Sequence, residues 1–159
     1  MPLASYLVII SPLAPSIAGG SLCPVHVFVS DVSDLRGYQV AVEAKGGKRA
    51  TLFLKEITLQ TVRPEFVFAD QRVYQARDVL KGRAVACLLN NSVQGTGLRY
   101  LATFMFRASA DASGPFEFVL REDGTLLRSA SDQSIPRLLG GTVSVVVQAG
   151  KRGKNGDQR

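Results

Sequence analysis

The sequence predicts an all-β fold: an antiparallel β-sandwich of about nine strands. Three observations predict it. Apolar and polar residues alternate at period two through residues 25–30, 38–43 and 100–108, the pattern of strands with one face turned inward. Gly, Pro and Asn punctuate the chain at intervals of roughly eight to fourteen residues. No segment carries a helical period, and a parallel α/β fold would need crossover helices. Closing the strands into a barrel satisfies the same pattern and is the rival architecture.

The first strand is assigned to Tyr6–Ile10, followed by a turn punctuated by Pro12 and Pro15. The same apolar stretch has some character of a secretory signal, but such signals begin with Lys or Arg and the first positive charge here is Arg36. After Gly19-Gly20, Val25, Val27 and Val29 alternate with His26, Phe28 and Ser30. A loop is expected at Asp31–Asp34. The next strand sets Tyr38, Val40 and Val42 against Gln39, Ala41 and Glu43 and ends at Gly46-Gly47.

Thr51–Val62 is rich in β-branched and aromatic residues, with Pro64 closing it. Short strands are expected at Phe66–Phe68, Val73–Gln75 and Arg83–Leu89, then a loop through Asn90-Asn91 and Gly95-Thr96-Gly97. Tyr100–Ala108 follows, with Phe104 and Phe106 on one face. Beyond Gly114-Pro115, Phe116, Phe118 and Leu120 share a face, Asp123-Gly124 makes a turn before Leu126-Leu127, and Thr142–Val147 ends the series.

With 159 residues and 46% hydrophobic content, the chain is one domain with a core of its own. Residues 1–149 are assigned to the sandwich and 150–159 to a flexible basic tail. No run of eighteen apolar residues marks a spanning helix. The net charge of +6 invites comparison with nucleic-acid binders. Half of it sits in the tail, on Lys151, Arg152, Lys154 and Arg159 against Asp157, and the rest is scattered. A phosphate-binding surface needs clustered cations, so no nucleic-acid partner is expected.

No residue pattern points to catalysis. The single histidine, His26, lies in a strand with no nucleophile or orienting acid beside it in sequence, and there is no Gly-x-Ser-x-Gly or His-Glu-x-x-His. Cys23 and Cys87 are compatible with a disulfide or with two buried free thiols, and the second reading is preferred because each adjoins an apolar strand. Asp31 and Asp34 flank Ser33; such carboxylates suit calcium but equally serve turns. The chain is therefore expected to be non-catalytic, with no metal ligands assigned and calcium as the alternative.

Two stretches carry a family resemblance. One is Val27–Glu43, where a valine-rich strand passes Ser30-Asp31-Val32 and Leu35-Arg36-Gly37 into an alternating strand. The other is Leu101–Phe116, with Phe104 and Phe106 followed by Ala112-x-Gly114. Together they resemble the bacterial cohesin domain and its relatives, the cellulose-type carbohydrate-binding modules, over residues 6–148. The resemblance implies a nine-stranded jelly-roll sandwich, extracellular or at the cell surface. It also implies a partner-binding sheet face that includes Gln39, Ala41 and Glu43, and a dockerin-type protein partner. Polysaccharide is the alternative ligand, and a purely structural domain the third reading. The absence of Trp and the presence of only four Tyr count against polysaccharide, since crystalline surfaces are bound by rows of stacked rings.

Overall fold

The computed structural model describes residues 5–10, 16–46, 52–59, 74–77, 81–87 and 93–148. They form β1 (Ser5–Ile10), β2 (Ser16–Ala18), β3 (Leu22–Gly46), β4 (Leu52–Thr58), β5 (Tyr74–Arg77) and β6 (Lys81–Cys87). β7 (Val93–Ala108), β8 (Gly114–Leu120), β9 (Leu126–Ser129), β10 (Arg137–Leu139) and β11 (Val143–Gln148) complete the set. The expectations placed on Pro64, Phe66–Phe68, Asn90-Asn91 and the 150–159 tail lie outside the described residues.

The strands stack as two layers of a sandwich that share β3. Its first part, residues 22–30, pairs with β1 on one side and β7 on the other, extending the first layer to β10 and β4. Its second part, residues 35–46, pairs with β6 on one edge and with β9 and then β8 on the other. β5, β11 and β2 extend the second layer. β10 lies parallel to β1, and β11 parallel to β2, so the first and last parts of the chain run side by side from one layer into the other. Among the described residues every other strand pairing is antiparallel.

The transfer of β3 between layers explains where the sequence reading departs from the structure. The expected loop at Asp31–Asp34 is not a break in the strand. Asp31 and Asp34 each take φ 57°, the left-handed conformation that Asp tolerates better than most residues. The pairing register with β7 shifts between Ser30 and Val32 and again between Val32 and Leu35. Odd-numbered residues are buried before these bulges (Cys23, Val25, Val27, Val29) and even-numbered ones after Leu35 (Tyr38, Val40, Val42, Ala44). One extra residue inverts the faces of a strand, so a single segment supplies the inner face of both layers. Gly95 and Leu98 pair with this bulged stretch, which makes Gly95–Gly97 part of β7 rather than the expected loop.

The inner faces meet as the alternation predicts. Phe104 and Phe106 of the first layer and Phe116 and Phe118 of the second are fully buried, each stabilising the fold by about 1.5–3 kcal/mol through area removed from water. The Phe106 and Phe118 rings pack across the layers with centroids 5.1 Å apart at 48°, an arrangement aromatic pairs favour. Among the described residues eleven strands are present against about nine expected: β3 joins the two strands expected at residues 25–30 and 38–43, while β2 and β10, each three residues long, fall below the length at which alternation can be read.

Candidate functional site

The outer face of the second layer is organised by an interruption beside β3. β8 pairs with Val42 through Leu120, and β9 pairs with Gln39 through Leu126. Moving from one pair to the other takes three steps back along β3 and six forward along the opposing chain, so three residues are looped out. The resulting 121–125 excursion satisfies the backbone it would otherwise leave unpaired. Arg121 N donates to the Ala41 carbonyl at 2.8 Å, and Ala41 N donates to the buried Thr125 Oγ1 at 3.2 Å.

Side chains hold the excursion down from both sides. Gln39 Nε2 donates to the Gly124 carbonyl at 2.8 Å. Arg121 reaches Glu43 Oε1 through Nη1 at 2.9 Å and grips Asp123 with Nε at 3.2 Å and Nη2 at 3.0 Å. From β10, Arg137 Nε donates to the Thr125 carbonyl at 3.0 Å, while its Nη1 and Nη2 reach the Glu122 carboxylate and carbonyl. Gly124 adopts φ +105°, and a β-carbon there would stand 3.1 Å from Ala41 Cβ. The hydrogen bonds from Arg121 hold the Asp123 carboxyl below the usual carboxylate range, with Lys81 adding to the effect.

Between this loop and β6 lies a concavity of about 380 Å³. Gln39 and Ala41 line it from β3, Lys81 and Arg83 from β6, and Arg121 and Asp123 from the loop. The register explains the gathering: Ala41 pairs with Arg83 and Glu43 with Lys81, and cross-strand partners share a face. Of the three residues singled out in sequence, Gln39 is half-buried at the concavity, and Glu43 holds Arg121 at its margin. Ala41 is only 4% exposed, being covered by the loop. Lys81, Arg83, Arg121 and Asp123 were not foreseen. Asp123-Gly124 is the expected turn, but nothing in its composition indicates what it covers.

The remaining candidates resolve into structural roles. His26 is half-buried on the outer side of the first layer. Its Nδ1 is 2.8 Å from Thr103 Oγ1, which also hydrogen-bonds Tyr100 OH, and that hydroxyl donates to the Thr58 carbonyl at 3.3 Å. Cys23 is a buried free thiol whose pKa is pushed up to about 11 by burial; the side chain of Cys87 lies outside the described residues. Asp31 and Asp34 occupy the bulges of β3, with Asp34 Oδ2 accepting from Ala130 N at 3.4 Å. Among the described residues, no three His, Cys, Asp or Glu side chains gather as metal ligands. No helix among them is long and apolar enough to cross a membrane. Among the rings whose side chains are described, Tyr6 is the exposed one.

No protein-family model matches the sequence, and no curated protein matches it. Solved structures do match the fold. A non-cellulosomal cohesin from the hyperthermophilic archaeon Archaeoglobus fulgidus superposes with TM-score 0.65 at 8% identity, covering 99% of this chain and 100% of its own. A type II cohesin domain from the cellulosome of Acetivibrio cellulolyticus gives TM-score 0.68 at 12% identity, covering 90% and 95%. A chain of a type I cohesin–dockerin complex from Clostridium thermocellum gives 0.64 at 7%, covering 91% and 95%. The protein has the cohesin-like fold, a jelly-roll β-sandwich.

Proposed function

We propose that this chain is a non-catalytic interaction module that binds a dockerin-type protein partner through the outer face of its second layer, outside the cell or at its surface. The observation that carries this reading is the built polar surface around Gln39. Strand β3 sits there between β6 and a loop held down by Arg121 and Arg137, and a concavity opens beside it. Such a face is rigid without being apolar, which suits a module that folds alone and docks a separate chain. The likeness to cohesins solved together with dockerins supports the choice of partner. It is a likeness of fold, with sequence identities of 14% and 7%.

The test is a binding array. The purified chain is titrated calorimetrically against dockerin modules from Clostridium acetobutylicum, Clostridium thermocellum and Acetivibrio cellulolyticus, with calcium and with chelator. Calcium-dependent binding at one-to-one stoichiometry is the expected result. Absence of binding throughout the array, combined with retention on insoluble cellulose, would replace this reading with the polysaccharide one.

A further inference from the structure

Resting on that interface reading, we propose that Arg137 is the positioning residue of the docking face. Reaching over from the first layer, its guanidinium fork sets the place of the 121–125 loop, and with it the shape of the concavity that a partner meets. Arg137 does not line the concavity, whereas Arg121, Asp123 and Gly124 of the loop do, so it acts on the surface through them. Three hydrogen bonds carry the assignment. Nε donates to the Thr125 carbonyl at 3.0 Å, Nη2 to the Glu122 carbonyl at 3.1 Å and Nη1 to the Glu122 carboxylate at 3.0 Å. Two of these acceptors are backbone carbonyls, one on each side of the Asp123-Gly124 turn. The fork therefore fixes the main chain of the loop and not merely one of its side chains.

The base of this clamp is fixed, and the gap it spans is open. Arg137 pairs with Ser5 of β1; Ser5 N donates to the Pro136 carbonyl at 3.0 Å and Gly140 N to the Leu7 carbonyl at 2.7 Å, so β10 is tied to β1 on both sides of the arginine. The chain returning from β9 makes one bond just before, from Ile135 N to the Leu127 carbonyl at 2.9 Å, and Pro136 has no N–H with which to continue. Where the strands part lies a cavity of about 300 Å³, lined by Leu126, Ile135, Pro136 and Arg137 itself, roughly ten times the share of one water. Directed bonds, more than filled space, hold this side of the loop. β3 anchors residues 121, 124 and 125; Arg137 adds Glu122 and a second hold on Thr125. Charge alone does not reproduce this. The Glu122 side chain is 78% exposed, where an ion pair contributes little, and a lysine offers one compact ammonium in place of a planar fork.

The experiment uses the full chain, isotopically labelled, as wild type, Arg137→Lys, Arg137→Gln and Glu122→Gln, with amide spectra, hydrogen exchange and a urea curve for each. Arg137→Lys keeps the charge and loses the fork; Glu122→Gln loses the charge and keeps both carbonyls. Arg137→Lys is expected to shift the amide signals of residues 122–125 and to speed exchange of the Arg121 and Ala41 amides about fivefold, the scale of one lost hydrogen bond. The signals of Phe118 and Val145 should stay in place. Arg137→Gln should give the same pattern, and Glu122→Gln should leave both the exchange rates and the protected Arg137 Nε–H signal near wild type. Against any dockerin that binds the wild type, Arg137→Lys should weaken affinity about fivefold and Glu122→Gln less than about twofold. Unchanged 122–125 signals in both Arg137 variants would overturn the assignment, as would an equal effect of Glu122→Gln, which would credit the ion pair. A spectrum altered throughout the sheet would overturn it by making Arg137 a general structural residue. So would a loop that loosens while affinity for a bound dockerin stays the same. Absence of dockerin binding to the wild type removes the interface reading alone, because the clamp is decided in the free chain.

Discussion

The Tyr38 hydroxyl, on the inner face of the second layer, donates to the Leu101 carbonyl of the first layer at 2.7 Å. Leu101 is the residue that the β3–β7 register skips, passing from Val27–Ala102 to Phe28–Tyr100. A phenol from the opposite layer thus serves the carbonyl of a bulge, where ladder bonding is disrupted. Tyr38→Phe keeps the ring and removes this partner from a buried acceptor, a change that costs about 1–3 kcal/mol. The expected outcome in urea is a lower midpoint at unchanged slope. A midpoint equal to wild type would mean that the carbonyl is satisfied in some other way.

Alkaline pH should destabilise the fold partly through Cys23. Its folded-state pKa is raised from the ordinary 9.0 to about 11 by burial alone. The folded state therefore holds this proton more tightly than the unfolded state does. Its contribution is fully present below pH 9 and is lost as pH rises from about 9 through 11, at most on the order of 2–3 kcal/mol. Tyr38, raised well above its ordinary value by burial and by Tyr100, acts in the same direction at higher pH. Cys23→Ala should be less stable than wild type at pH 7 because of the cavity it leaves, but should lose less stability between pH 8 and 10.5. Parallel stability curves for the two proteins would refute the thiol's part.

The 121–125 loop ranks two kinds of interaction against each other. Arg121 makes the more conspicuous contacts, yet Asp123 is mostly exposed, with 81% of its side chain in solvent, and the pair with Glu43 is itself partly in solvent. Ion pairs open to solvent are worth about 0–1 kcal/mol. Thr125 is 2% exposed and accepts from Ala41 N. Thr125→Val leaves that buried N–H without its acceptor, at a cost of about 1–3 kcal/mol. Thermal or urea denaturation should therefore rank Thr125→Val as the more damaging of the two, with Arg121→Ala close to wild type. The opposite ranking would show that the ion pairs, and not the buried hydroxyl, hold the loop.

Gly124 should resist replacement for two reasons at once. Its φ of +105° is one that side-chain-bearing residues rarely adopt, and an added β-carbon would sit 3.1 Å from Ala41 Cβ. Gly124→Ala is expected to cost about 1–3 kcal/mol. Gly141→Ala, where a β-carbon would meet nothing within 4 Å, should change stability by less than about 0.5 kcal/mol. Matching midpoints for the two variants would contradict the observed backbone of the loop.

Much of this fold was legible because burial in a sheet writes itself at period two. The valines at 25, 27 and 29, the set Tyr38, Val40 and Val42, and the four inner phenylalanines all appear in the sequence as alternation, and all are buried. The change of parity between Val29 and Tyr38 was visible too, but its cause was not. Two aspartates in left-handed conformation inside a continuous strand have the same composition as a loop. The candidate site was legible only on β3. Gln39 and Glu43 declare an outer face by their polarity, whereas Lys81 and Arg83 come to them through cross-strand register, and Arg121 and Asp123 through a looped-out turn. Both are long-range pairings, for which a local pattern carries no signal.

If the outer face of the second layer is the docking surface, position 39 is where substitution should separate binding from folding. Gln39 is half-buried and makes one hydrogen bond to the loop, to the Gly124 carbonyl, so Gln39→Arg should cost less than about 1 kcal/mol of stability. It also places a long charged side chain at the centre of the proposed contact. Affinity for any dockerin that binds the wild type should then fall by at least tenfold, about 1.4 kcal/mol, mostly through faster dissociation. Leu138→Arg, on β10 and 59% exposed, puts the same group on a strand of the first layer and should leave affinity unchanged. Calorimetry on both variants, each with its own denaturation curve, distinguishes the outcomes. Weakening by Leu138→Arg with no effect of Gln39→Arg would move the partner to the first layer, because a charge buried at a true contact must either find a counter-charge or expel its neighbour.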